Sequence, residues 1–96
     1  DQKILKNIQV QTNLKSNSGI EFQVKNQNEI SVKNLILDCQ YLSETGIELS
    51  EVFEQKLLYF FPKSNLRRLS SISTTLDKPE QAGELLCKAV MFEISN

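Results

Sequence analysis

The chain has 96 residues and a net charge of −1, with 40% apolar and 24% charged residues. That size sets one domain, residues 1–96, with roughly two-thirds of the unfolded surface buried on folding, and that composition is globular and not disordered. The charge balance leaves no electrostatic footprint for nucleic acid, and no apolar run reaches the ~20 residues that span a bilayer.

Along the chain, Ile4 to Val10 is the first extended run, with Ile8 and Val10 flanked by Gln9 and Gln11. Lys15-Ser16-Asn17-Ser18-Gly19 reads as a turn, because glycine takes positive φ cheaply and Ser and Asn side chains bond their own backbone. Ile20 to Lys25 then alternates apolar and polar at every step, which puts Ile20, Phe22 and Val24 on one face of a half-buried strand. Asn26-Gln27-Asn28-Glu29 is a polar connection. In the run Val32 to Leu42, Leu35, Leu37, Cys39 and Tyr41 form the more uniformly apolar parity, so that side faces inward. Ser43-Glu44-Thr45-Gly46 closes it as a turn.

Residues 47–61 carry two patterns. Leu49, Val52, Phe53, Leu57 and Phe60 form a helical stripe, entered at Gly46 or Ser50 and stopped by Pro62. Ile47, Leu49 and Phe53 align as a strand, interrupted by Glu51. A short helix within 49–61 is therefore one of two expectations. Leu57 to Phe61 has no polar residue, so it is buried on both faces or meets a partner. Pro62 to Asn65 is a turn. Leu66 to Leu76 is extended, with Leu66, Ile72 and Leu76 in one parity and a bulge near Leu69. Asp77 to Gly83 is a loop. Glu84 to Ile94 is apolar on both sides for much of its length, which predicts a central strand with its outer face covered. Six or seven short runs separated by turns predict a mainly β chain, an antiparallel β-sandwich.

Cys39 and Cys87 are the two cysteines, both mid-strand on inward faces. They are either buried thiols or one disulfide. A bridge would close a loop of about 49 residues, worth roughly 4 kcal/mol by the chain-entropy model. It would also imply an oxidising compartment. Two cysteines with no histidine do not fill a zinc shell, and their spacing is not that of a redox Cys-x-x-Cys motif.

The absence of histidine removes the commonest general base and the usual catalytic triads. Glu48, Glu51 and Glu54 are best read as a solvated face. Three glycines make no phosphate cradle, and the aspartates make no calcium loop. No catalytic residue, metal site or cofactor is expected. For binding, two features stand out. One is the aromatic run with Tyr59, Phe60 and Phe61; the other is the basic spot of Lys63, Arg67 and Arg68.

The segments Ile20 to Asn26, with Val24-x-Asn26, then Val32 to Tyr41, then Gly46, resemble the opening of small bacterial Ig-like modules of the FxLYD kind. Leu42-Ser43 stands where those modules have an aspartate after the tyrosine, and Lys63 follows Pro62 where they have glycine. The resemblance implies an Ig-like sandwich that is non-catalytic and belongs to the cell envelope or secreted space, periplasmic or secreted. It transfers no functional residues. The chain begins with Asp1 and not Met, which fits the removal of a signal peptide or anchor.

The functional expectation is a binding or assembly module with an unidentified protein partner, or one that forms a homo-oligomer, with no nucleic acid and no membrane insertion in this segment. One rival is an intracellular effector, adaptor or inhibitor with reduced cysteines. The other is a small α+β ligand-binding protein or enzyme, with a deep cavity lined by Tyr41, Tyr59 and Glu51.

Overall fold

In a computed structural model of the chain, residues 2–15 and 19–95 are described; the centre of the turn expected at Lys15–Gly19 lies outside them. The order of elements is α1 (Gln2–Lys6), β1 (Ile8–Leu14), β2 (Ile20–Asn26), β3 (Val32–Leu42), β4 (Phe53–Phe61), β5 (Asn65–Ile72) and β6 (Glu84–Ile94). Two three-stranded antiparallel sheets result, β1-β2-β5 and β4-β3-β6. Their inner faces meet in one core, so the fold is a six-stranded β-sandwich preceded by one short helix.

The alternation in β2 and β3 is what builds that core. Ile20, Phe22 and Val24 face it from one sheet; Leu35, Leu37, Cys39 and Tyr41 face it from the other. Ile8 of β1, Val32 of β3, Leu57 and Phe61 of β4, Leu69 of β5, and Leu85 and Cys87 of β6 complete it.

The chain departs from its sequence reading at several places, each with a physical reason. The first run divides. Residues 2–6 make a single helical turn with Lys3 and Lys6 near its negative end, and the strand starts at Ile8 and continues to Leu14. Residues 49–61 contain no helix. Phe53 to Phe61 pairs with β3, which satisfies its backbone and turns Phe53, Gln55, Leu57 and Phe61 inward at period two. Two members of the helical stripe, Val52 and Phe60, are exposed instead. The run Leu57–Phe61 is accordingly buried on one face only. β5 stops at Ile72, with Leu66 exposed, Leu69 in the core and Ile72 packed against it, so the bulge expected near Leu69 is present. A register shift between Ile20 and Phe22, opposite Ile72 and Leu69, absorbs the difference, and Ser71 takes a positive φ beside it. β6 is an edge strand, because β3 holds the centre of its sheet. Its two-sided apolar character therefore leaves one side in water.

The turns are anchored by specific groups. Gly46 adopts a φ of 88° and its N–H donates to the Ser43 carbonyl at 3.0 Å. The polar break after β2 is a buried junction. The Asn26 amide donates to the carbonyls of Phe61 (3.1 Å) and Ile30 (3.0 Å), and its oxygen accepts from the Asn28 backbone and side chain, each at 3.0 Å. Asn28 in turn donates to the Ile4 carbonyl at 3.0 Å, fixing α1 over the same end of the sandwich.

Candidate functional site

The two outer faces of the sandwich differ sharply. Outward positions of β1-β2-β5 are Gln9, Gln11 and Asn13, then Glu21, Gln23 and Lys25, then Leu66, Arg68 and Ser70. Leu66 is the one large apolar residue among them.

The outer face of β4-β3-β6 is built in rows across the strands. One row runs Phe60, Lys33, Glu93. The next complete row runs Lys56, Ile36, Met91. A third runs Glu54, Asp38, Lys88. Gln40 pairs with Leu86 beyond it, and Leu58 lies between the first two rows beside Asn34. Exposure is 64% for Leu58, 58% for Met91, 55% for Leu86 and 47% for Phe60. Ile36 is half-buried among them, and the Glu54-Asp38-Lys88 row separates Leu86 from the rest. At one end the face sinks into a shallow groove of about 360 Å³ lined by Asp38, Gln40, Val52, Leu86 and Lys88, with Cys39 and Cys87 at its base.

Irregular pairing shapes this face. Asn34 takes a φ of 53° where the β3–β4 register shifts, and its amide donates to the Glu93 carboxylate at 3.0 Å. A second shift on the β6 side falls between Ile36 and Leu37. The second shift turns Met91 outward, out of the parity of Leu85, Cys87 and Ala89, whereas Leu58 is outward by the plain alternation of β4.

The two cysteines are joined. Cys39 and Cys87 stand opposite one another in neighbouring strands, with Cα atoms 4.1 Å apart. The bridge lies within one sheet and does not tie the two sheets together.

The aromatic run and the basic spot do not form one surface. Phe61 is core. Phe60 belongs to the outer face of β4-β3-β6. Tyr59 sits at the open seam between the sheets, with the Arg67 guanidinium 5.2 Å from its ring centroid and 6.0 Å from that of Phe61. Arg67 also donates to the Phe60 carbonyl at 2.6 Å, so it caps the core edge. Arg68 points from the opposite outer face, and Lys63 lies in the turn between β4 and β5. Leu58 belongs to the apolar run Leu57–Phe61, which is expected either to be buried or to meet a partner; Leu86 and Met91 are not expected at a surface, though the two-sided apolar pattern of β6 carries their signal.

Tyr41 and Tyr59 lie toward opposite ends of the β3–β4 ladder and line no shared cavity of the kind that would favour the α+β ligand-binding or enzyme reading. The Tyr41 ring is core, stacked on Phe53 at 5.5 Å, and its hydroxyl bonds Thr74 at 2.9 Å and the Leu76 carbonyl at 3.2 Å. Glu48, Glu51 and Glu54 are all exposed. Among the described residues no group of three or more His, Cys, Asp or Glu could hold a metal, and no helix is long and apolar enough to cross a membrane.

No protein-family model matches the chain, and no curated protein matches it. A solved structure similar to it is the crystal structure of Campylobacter jejuni cj0090, at 23% identity over 91% of this chain and 85% of that chain, with a TM-score of 0.49.

Proposed function

We propose that this chain is a non-catalytic protein-binding or assembly module that works outside the cytoplasm, through the outer face of β4-β3-β6. The asymmetry of the two outer faces carries this reading. One is lined by amides and charges; the other exposes Leu58, Phe60, Leu86 and Met91 around Ile36. A sheet face of that kind costs solubility unless something covers it. The disulfide supports an oxidising compartment and weighs against a reduced intracellular adaptor.

Strand order supports the finer, Ig-like reading. Labelled A, B, C, C′, E and F in chain order, the strands form sheets A-B-E and C′-C-F, an Ig-like order without strands D and G. The bridge joins C to F, whereas antibody domains join B to F across the sheets, so this reading rests on topology alone. The buried Asn26 junction is compatible with the Val-x-Asn resemblance to FxLYD modules.

Affinity purification from the source organism tests the proposal. The wild-type chain should retain a protein that a Leu58→Lys/Met91→Lys variant loses and a Gln9→Lys/Gln11→Lys variant keeps. Equal retention by both variants, or none by the wild type, would overturn it.

A further inference from the structure

We infer that the outer face of β4-β3-β6 pairs with the same face of a second copy, about a two-fold axis that crosses the strands near Ile36. This inference rests on the reading of that face as a binding surface and names its occupant.

Charge is the first argument. The face carries three lysines, Lys33, Lys56 and Lys88, and three carboxylates, Asp38, Glu54 and Glu93, so it is neutral. Lys56 lies 4.0 Å from Glu54 within the chain. Among the described residues, Lys33, Asp38 and Lys88 make no ion pair, and Glu93 accepts from the Asn34 amide.

Along β3 and β6 the order of these charges is self-complementary. Lys33 and Glu93 share one row, and Asp38 and Lys88 share another, on the far side of Ile36. A two-fold axis between the rows and perpendicular to the strands lays β3 on β3 and β6 on β6, running in opposite directions. Lys33 then faces Asp38 of the second copy, and Glu93 faces Lys88, and each contact occurs twice. The row nearest the axis brings Ile36 and Met91 of both copies together; on β4 that row carries Lys56, which stays beside Glu54 of its own chain, with Leu58 next to it. An apolar centre with a charged rim is the usual anatomy of an interface, and sheets packed face to face tolerate opposed strand directions at about 30°.

Area is the second argument, and it sets the strength. Three strands about 4.8 Å apart, each contributing about nine residues of 3.3 Å, present roughly 400 Å² in projection. Two such faces bury about 800 Å² in total, below a standard specific interface, so the association is a weak, transient one.

Sedimentation equilibrium from about 10 μM to 1 mM tests this. The wild type should pass from monomer to dimer. Met91→Glu should abolish the dimer. Lys88→Glu and Glu93→Lys should each weaken it by about tenfold or more, and the double exchange should restore it, because the swapped pair faces itself again. Gln11→Glu, on the other outer face, should leave it unchanged. All variants should keep the wild-type circular dichroism spectrum. A wild type that stays monomeric, a dimer indifferent to Met91→Glu, or a double exchange no stronger than the singles would overturn self-association. If a different protein is still lost on Leu58→Lys/Met91→Lys, self-association alone has failed; if neither signal appears, the binding face has failed as well.

Discussion

Cys39 of β3 and Cys87 of β6 face each other across a single sheet, so their bridge closes a 48-residue separation between two strands that already pair. The backbone ladder holds the geometry, and the bond acts mainly on the unfolded chain, which it keeps from expanding. A Cys39→Ala/Cys87→Ala variant should therefore fold to the same sandwich and lose about 2–4 kcal/mol in urea unfolding. That is a large share of the stability expected for a domain of this size. An unchanged midpoint would contradict the assignment.

Asn26 is the polar group on which one end of the sandwich depends. Its amide serves the Phe61 and Ile30 carbonyls, and its oxygen serves Asn28. Asn26→Ala should cost about 2–4 kcal/mol, because it strands buried partners in addition to removing bonds. Asn26→Asp should not restore it, since the carboxylate cannot donate to the two carbonyls. Denaturant unfolding of both variants measures the difference.

Tyr41 ties the segment after β5 to the core through Thr74 and the Leu76 carbonyl. Tyr41→Phe keeps the ring and its stacking on Phe53. The expected loss is about 1 kcal/mol, with faster amide exchange confined to residues 73–78. Exchange that accelerates across the whole sheet would point to a global role instead.

Gln55 is the opposite case, a core-facing amide on β4 whose nitrogen donates to the Lys56 carbonyl at 3.3 Å and whose buried Oε1 has no hydrogen-bond partner among the described residues. Met has a similar length and no polar group to desolvate. Gln55→Met should thus raise stability by about 1 kcal/mol. A loss of that size would mean that Oε1 has a partner in solution, such as a buried water.

Much of the core was legible in the sequence. Ile20, Phe22 and Val24, and Leu35, Leu37, Cys39 and Tyr41, alternate cleanly because β2 and β3 are the central strands, each with one dry face. Legibility failed where pairing decided the outcome. Residues 53–61 fit helix and strand alike, and only the open edge of β3 settles the matter by completing a ladder. Leu69 enters the core through a register shift, which its out-of-phase place in the run did announce. The candidate face suffered from the same blindness. An apolar residue on both sides of a strand signals burial in a central strand, and in β6 it signals an exposed face, because the strand is at the edge. Arg67 and Arg68 are sequence neighbours that alternation sends to opposite sides of their sheet.

The functional claim comes down to which outer surface meets protein in the cell. A photo-activated cross-linking residue at position 58, on the apolar face, and at position 11, on the amide-lined face, asks this directly. Position 58 should give a discrete protein adduct upon illumination of intact cells, and position 11 should give none. Adducts from position 11 with none from position 58 would contradict the account.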